Sequence, residues 1–366
     1  MYINESVQTE RGCCHMKHIV NIFGKGTLHS EEDLIGKTFL LCTACMSIWS
    51  EMLSWANAFP EKICETFDDA DNVVIGSCQV TDLAVLNDLR YLRALKEYAP
   101  SKNYYITGCL ARRFDLLVED ANRLDTLRCD YIHLENRFLV KWTPPFWDDK
   151  FGEGDQDRES WFLREMYPLR IGVGCGKRCA YCTIRDARGD SYELDDYDRL
   201  TAEFVKHDNV LLICDSMSTE QVDCWHDIAM RNCKPVAFRN IEPVVVMQRF
   251  DKIAELSRNG LLSNLHSAVQ TNHVNVLRDM HRPVEATIDF INRVRSLRKN
   301  GTVVATNIIV DYKDFPNPVG LERVFDIVSW NPYWDGTFDM VAAQEKASRY
   351  FPWWETENLV EIVKGL

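Results

Sequence analysis

Gly172-Val173-Gly174-Cys175-Gly176-Lys177-Arg178-Cys179-Ala180-Tyr181-Cys182-Thr183-Ile184 is the segment from which the rest of this chain can be organised. Its cysteines follow a C-x3-C-x2-C spacing. Three thiolates on one short loop suit three irons of a [4Fe–4S] cubane, because soft sulfur ligands favour iron–sulfur clusters. No fourth cysteine follows at cluster spacing, so one iron lacks a protein ligand. By analogy with zinc sites, an open coordination position marks catalytic rather than structural use. Zinc is the competing reading, but it wants two cysteine pairs or a Cys/His set at recognisable spacing. A disulfide reading needs an oxidising compartment.

The 366 residues are enough for two domains with cores of their own. Charged residues make up 27% and hydrophobic ones 46%, an ordinary globular balance. No apolar run approaches the roughly 18 residues that span a bilayer. Met1 to His18 lacks the apolar centre of a secretory signal, so a cytoplasmic location with reduced cysteines is expected. Cys42, Cys64, Cys129, Cys214, Cys224 and Cys233 are expected as small buried apolar residues. The net charge of −13, from 42 basic and 55 acidic residues, argues against a generic nucleic-acid coat. Arg112, Arg113, Arg282 and Lys313 supply at most a small basic surface.

The pattern predicts an α/β chain in two blocks. Residues 1–37 show little periodicity and are expected as a leader. Over 38–140, strands are expected at Thr38–Thr43, Asn72–Gly76 and Asn103–Thr107. Helices are expected over Met46–Phe59, through Val85, Leu89, Leu92 and Leu95, and over Arg112–Arg123. Such alternation predicts an open parallel sheet with flanking helices. Residues 141–160, rich in Trp, Pro, Gly and Asp, read as a linker. Over 161–345, strands are expected at Leu169–Val173, Val210–Cys214, Pro235–Phe238, Ser263–Ala268, Val303–Val310 and Thr337–Ala342. The clearest helix there is Val284–Lys299. Six βα units fit an open partial (β/α)6 barrel better than a closed eight-stranded one. Residues 346–366 are expected to end in a docked helix, Glu355–Gly365.

Each strand of the first block runs into a cysteine-bearing turn: Cys45, Cys78 and Cys109. Ligands of open α/β sheets bind beyond the carboxyl ends of strands, so these three could converge. Packing of three small apolar residues under helix N-termini is the equal alternative. Asp215, Arg239, Gln270 and Asn307 end strands of the second block, where polar side chains could bind a cofactor. A helix-cap or salt-bridge role is as open for each.

At these residues the chain resembles the methylthiotransferase branch of the radical-SAM (S-adenosylmethionine) enzymes, over roughly 38–345. The C-x3-C-x2-C run with Tyr181 before its last cysteine resembles the radical-SAM signature. Gly108-Cys109-Leu110-Ala111-Arg112 matches the family's Gly-Cys-x-Ala-Arg, and Ala70 to Cys78 matches its Ala-Asp-hydrophobic strand and second cysteine. Ile184, Arg188, Gly189 and Ser191 fit the residues after the signature. Asn264–Gln270, Val276–Arg282 and Ala305–Val310 resemble three later family segments. Departures are Ala44 before Cys45, Ile48 for the family's Asn, Arg185 for its usual proline, and Asp311–Pro316 for its Gly-Phe-Pro-Gly-Glu turn. Cys42 rivals Cys45 as the first ligand, and the family's C-terminal β-barrel is not expected here.

The resemblance implies two [4Fe–4S] clusters and SAM. Cys175, Cys179 and Cys182 would hold the radical cluster, and Cys45, Cys78 and Cys109 a second cluster carrying sulfur. In the family, reductive cleavage of SAM yields a radical that takes hydrogen from an unactivated carbon, and the methylated sulfur is captured there. Tyr181, Asp215, Arg239, Gln270 and Asn307 become candidate SAM contacts. The implied partners are a peptide or protein substrate, with tRNA as the alternative, an electron donor such as flavodoxin or ferredoxin, and a sulfur source. Further alternatives are a one-cluster radical enzyme with structural zinc, and a non-enzymatic iron–sulfur carrier or sensor.

Overall fold

A computed structural model describes residues 28–29, 34–113, 121–124, 140–142, 166–193, 196–351, 359–364 and 366. Most of the expected leader, the linker from 143 to 160 and Cys129 lie outside the described residues.

Apolar strands alternating with helices build two parallel sheets. The first contains β1 (Leu28–His29), β2 (Thr38–Cys42), β3 (Asn72–Ser77), β4 (Asn103–Gly108), β5 (Asn122–Leu124) and β6 (Lys141–Trp142), in the order β1-β5-β4-β3-β2-β6. The second contains β7 (Tyr167–Arg170), β10 (Val210–Ile213), β11 (Val236–Phe238), β12 (Leu262–His266), β13 (Val303–Val310) and β14 (Ile327–Pro332), laid side by side in chain order. β8 (Gly172–Val173) and β9 (Tyr192–Glu193) form a separate antiparallel pair. Continuous burial along β2, β3 and β10 is the mark of strands covered on both faces.

Helix α1 (Met46–Ala58) lies against β2 and β3 on one side and β7 on the other. It is buried nearly all round, and one apolar cluster runs from Leu40 and Val74 through its Met52 and Trp55 to Leu169 and Leu211. Its buried hydroxyls bond back to the helix, Ser50 to the Ser47 carbonyl at 2.8 Å and Ser54 to the Ser50 carbonyl at 2.9 Å. Helix α2 (Asp82–Tyr98) starts at a Thr81 cap that accepts the Ala84 amide, and covers the first sheet with Val85, Leu89, Leu92 and Leu95.

Several expectations change. Arg112–Arg123 is not one helix: a single turn over Leu110–Arg112 and strand β5 occupy its ends. β1, inside the expected leader, pairs Leu28 with Arg123, and β6, at the start of the expected linker, pairs Leu41 with Lys141. The sixth strand of the second sheet is β14, not Thr337–Ala342, which runs into the helix Met340–Tyr350. That helix and Leu359–Lys364 pack against α2, so the C-terminal segment returns to the first sheet. Cys233 is exposed in a left-handed cap, and Cys64 and Cys224 are half-buried; Cys42 and Cys214 are buried.

Candidate iron–sulfur and cofactor site

Strand register brings the first three cysteines together. Cys42 faces Gly76 across β2 and β3, and Ser77 faces Gly108 across β3 and β4. Cys78 and Cys109 directly follow two neighbouring strands that end level, so they stand side by side. Cys45 occupies the cap position of α1 and is exposed, while Cys78 and Cys109 are buried. Gly108 is required by the close strand approach: its φ is +84°, and a Cβ would lie 2.6 Å from the Ser77 carbonyl oxygen. Buried Asp88 of α2 ties two of the turns, accepting the Cys78 amide and the Thr43 hydroxyl, each at 2.6 Å.

Burial and charge act together on this group of thiols. Burial, then the charges of Cys45 and Cys109, push the Cys78 thiol well above its ordinary range. Burial also raises Cys109, with Arg188 pulling it back and Cys45 adding to the rise. Cys42 is fully buried and turns its Sγ toward the Ala44 carbonyl at 3.8 Å. Cys45, exposed at the start of α1, is the thiol whose charge reaches both Cys78 and Cys109.

Cys175, Cys179 and Cys182 occupy the loop between β8 and the short helix Ile184–Arg188. Gly174 folds the loop back with φ +80°, and a Cβ there would meet the Asp190 carbonyl oxygen at 2.3 Å. The Cys175 amide donates to the Gly189 carbonyl at 3.1 Å, and the Ala180 amide to the Met280 carbonyl at 3.1 Å. Donors also aim at sulfur: the Lys177 amide lies 3.4 Å from Cys175 Sγ and Arg282 Nη1 lies 3.7 Å from Cys179 Sγ. Such outer-shell donors orient and tune thiolate ligands. Burial pushes the Cys182 thiol up to about 12, against a hydrogen bond from the Ile184 amide, and Cys179 and Cys175 add to the rise. The metal-free Cys182 thiol therefore stays protonated at neutral pH, and metal binding would release its proton.

Among the described residues, no group of three or more His, Cys, Asp or Glu side chains closes around one point tightly enough for a single metal ion. A cubane asks for something else, because each cysteine binds a different iron. Three thiols per loop group, with amide and guanidinium donors beside them, fit that donor set.

The two cysteine-bearing loops are joined by a hydrogen bond. Thr183 Oγ1 donates to the Gln79 carbonyl at 3.2 Å, so Cys182 and Cys78 are each one residue from the same bond. A cleft of about 500 Å³, counted to its open mouth, lies there. Val80 and Thr81 line it from the first sheet, Tyr181 and Cys182 from the loop, Gln270 and Asn307 from the second sheet, and Trp334 from the C-terminal segment. Gln270 takes a left-handed φ of +67° and is locked by its amide to Asn307 O at 2.9 Å and its carbonyl to the Ile309 amide at 2.8 Å. Asn307 is oriented through buried His266. The Asn240 amide donates to His266 Nδ1 at 3.3 Å, which leaves the proton on Nε2 to bond Asn307 Oδ1 at 3.1 Å.

Of the sequence-derived contacts, Tyr181, Gln270 and Asn307 thus share the cleft with Cys182. Asp215 and Arg239 do not line it. The Asp215 side chain is only 8% exposed, and its Oδ2 accepts the Gly174 amide at 2.8 Å and Arg188 Nε at 3.0 Å. Burial alone would raise this carboxyl, but Arg188 and Arg170 outweigh it and hold it below the usual carboxylate range. Arg239 is half-buried after β11, with its amide on the Leu212 carbonyl at 3.3 Å. Arg282, expected at a basic surface, is buried against Glu242 Oε2 at 2.5 Å, and Lys313 is paired with Asp279. Glu51, the partner of Arg170 and Arg188, escaped the sequence reading because an acidic residue on an otherwise apolar helix carries no pairing signal.

No protein-family model matches the chain. It is 26% identical over 246 residues to the ribosomal protein uS12 methylthiotransferase RimO of Chromobacterium violaceum, covering 66% of this chain and 53% of that protein. It is 25% identical over 297 residues to RimO of Francisella philomiragia, covering 72% and 67%, and 26% identical over 285 residues to RimO of Vibrio vulnificus, covering 68% and 58%. The chain thus spans between about half and two thirds of the length of these curated relatives. The solved structure of TsrM from Kitasatospora setae, a radical S-adenosylmethionine methyltransferase, superposes with a TM-score of 0.42 at 10% identity, covering 74% of this chain and 67% of that one, too distant a likeness to bear on function. Alongside strand-end cysteines at Cys45, Cys78 and Cys109 and the C-x3-C-x2-C loop, the chain is thus similar, at about a quarter identity, to methylthiotransferases of a ribosomal protein.

Proposed function

We propose that this protein is a radical-SAM methylthiotransferase that converts an unactivated C–H into C–SCH3 on a peptide or protein side chain. The observation that carries the proposal is the Thr183–Gln79 bond, which joins the two cysteine-bearing loops, each of which also lends neighbouring residues, Val80 and Thr81 or Tyr181 and Cys182, to the lining of one cleft. Cys175, Cys179 and Cys182 would hold one cubane, and Cys45, Cys78 and Cys109 the other. When bound, a SAM-ligated cubane supplies SAM cleavage and hydrogen abstraction, and a second cubane supplies a sulfur carrier. Tyr181, Gln270 and Asn307 bind SAM from the cleft wall, with the Asn307 amide presented by His266. Asp215 acts one step back, fixing the Gly174 amide beside Cys175. Val80, Ile309, Pro332 and Trp334 keep water from the reacting carbon. An external flavodoxin- or ferredoxin-like donor supplies electrons, and a separate source replaces the sulfur.

The substrate class follows from charge. No Lys or Arg is among the described residues lining the cleft, and the chain carries −13 overall. Recognition of RNA draws on phosphate-facing Lys and Arg. The relatives named above are methylthiotransferases of a ribosomal protein. The test incubates reconstituted enzyme, SAM and dithionite separately with bulk tRNA and with peptides encoded near its gene. One added methylthio group on a peptide is expected; the same gain on tRNA nucleosides alone overturns the protein-substrate assignment.

A further inference from the structure

The loop that carries Cys175, Cys179 and Cys182 shows part of itself to solvent. The three cysteines are half-buried, while Gly176, Lys177 and Arg178 between them are exposed. The Lys177 amide bonds Cys175 Sγ at 3.4 Å, so this exposed stretch is in direct contact with one of the thiols. The segment that holds the loop adds further charge. The Ala180 amide bonds the Met280 carbonyl at 3.1 Å, and Arg278 and His281, close to Met280 on either side, are exposed. Carboxylates of the same neighbourhood already have cations: Asp190 pairs with Arg185 at 2.6 Å, Glu242 with buried Arg282 at 2.5 Å, and Asp279 with Lys313. Lys177, Arg178 and Arg278 have no ion pair among the described residues. Against their three charges stands Asp186, which is exposed and also without an ion pair among those residues. A chain of net charge −13 thus carries an unneutralised cationic spot on the loop of its C-x3-C-x2-C cysteines.

We propose that Lys177, Arg178 and Arg278 form the docking surface for the acidic face of a one-electron carrier protein of the flavodoxin type. This rests on the cluster assignment of Cys175, Cys179 and Cys182 given above. Electron tunnelling falls off exponentially with distance, so a donor must sit over the surface nearest the irons. The exposed residues between the ligands are that surface. The donor gives up one electron, passing from hydroquinone to semiquinone, and the oxidised cubane takes it up. An acidic partner approaching an acidic chain is repelled on average, and least where local cations outnumber carboxylates. Such a spot sets the orientation of the encounter as well as its rate. Lys177 and Arg178 do not line the cleft that Tyr181 and Cys182 line, so donor and substrate can be bound together.

The experiment uses the full-length chain, reconstituted anaerobically with its iron counted, and flavodoxin as the probe. Docking is read as the affinity for oxidised flavodoxin. Electron delivery is read as substrate-independent SAM cleavage, driven either by flavodoxin hydroquinone or by the methyl viologen radical cation. Lys177→Glu combined with Arg178→Glu keeps both backbone amides and should weaken flavodoxin binding about tenfold at low salt. The difference should vanish near 1 M salt, where the Debye length is about 3 Å. Cleavage driven by flavodoxin should fall in step, whereas cleavage driven by the cationic viologen should not fall. Arg278→Glu should weaken binding in the same direction. Arg295→Glu combined with Lys299→Glu makes the same change of net charge at exposed positions where the helix Val284–Arg298 ends, and should leave flavodoxin binding near the parent value. Equal weakening by the two pairs, unchanged binding in the loop pair, or no binding by the parent chain overturns the inference. Loss of tRNA binding in the loop pair with flavodoxin binding intact would give the surface to RNA instead. Should the Glu pair fail to load iron, Lys177→Gln combined with Arg178→Gln decides, with the same direction expected. Iron content unchanged on replacing Cys175, Cys179 and Cys182 by alanine would instead overturn the cluster assignment beneath the inference.

Discussion

At the scale of single residues, the candidate cysteines were all legible in the sequence. Cys175, Cys179 and Cys182 are close in the chain, so spacing alone announces them. Cys45, Cys78 and Cys109 are 33 and 31 residues apart (78 − 45 and 109 − 78), and only strand register brings them together. Cys42 and Cys45 could not be separated by pattern, because both flank the end of the same strand. The fold separates them by direction: Cys42 belongs to β2 and is fully buried, whereas Cys45 has left the strand and caps α1. Cys45→Ala should therefore load about four irons per chain instead of about eight, with one cubane lost. Cys42→Ala should keep both clusters and cost about 1 kcal/mol in stability from lost packing. Iron and sulfide analysis with chemical denaturation reads both numbers; the reverse pattern would make Cys42 the ligand. Arg188, Glu51 and Arg282 show what sequence could not give. Their partners come from distant positions, and a buried charge on an apolar helix looks like a surface charge until the fold closes over it.

At the scale of elements, long apolar strands were the most legible. Val303–Val310 matches its expected bounds, and β2, β3, β4 and β10 lie within one residue of theirs at each end. The misses are elements whose identity depends on a neighbour. β1, β5 and β6 are two or three residues long, too short for periodicity, and exist because a sheet edge accepts them. β14 reads Ile-Val-Ser-Trp-Asn-Pro, with weak alternation and a terminal proline, so the better-patterned stretch after it was expected instead. Turns gave clearer signals where glycine is forced. Gly174→Ala combines a left-handed φ with a clash against the Asp190 backbone, so the loop that presents Cys175 must move. We expect this variant to lose iron from that triad and to fall by about 1–3 kcal/mol in stability. Gly260→Ala is the control, since its φ of +68° is also left-handed but nothing lies within 4 Å of its Cβ. It should cost about 1–2 kcal/mol and keep its iron. Equal iron loss in the two variants would show that loop position is not what Gly174 secures.

At the scale of the whole molecule, the cleft exists because the chain crosses between its sheets twice. α1 joins them through the core, and the C-terminal segment returns from β14 to lie on α2. Trp334 is the hinge of that return. It lines the cleft, belongs to the apolar cluster of the first sheet with Leu359 and Val363, and donates Nε1–H to the Thr337 carbonyl at 2.7 Å. Its ring also receives the Arg113 guanidinium at 5.5 Å, and Arg113 bonds the Gly336 carbonyl at 3.2 Å. Beyond it, Lys346 bonds Asp82 at the start of α2, and Phe351 packs on Leu83 and Leu86. Removing the indole opens one wall of the cleft and frees the seam at the same time. Trp334→Ala should therefore cost about 3–5 kcal/mol in stability, as large-to-small changes of buried aromatic residues do. It should also let water reach the reacting position. In the proposed reaction this appears as uncoupling: SAM is still cleaved, but a smaller share of cleavage yields modified substrate. Trp334→Phe keeps the apolar wall and loses only the hydrogen bond, so it should restore most of the coupling. The ratio of modified product to SAM consumed, measured under one set of conditions for the three proteins, checks this. An unchanged ratio in a folded Trp334→Ala protein would mean that the C-terminal return braces the fold without shielding the cleft.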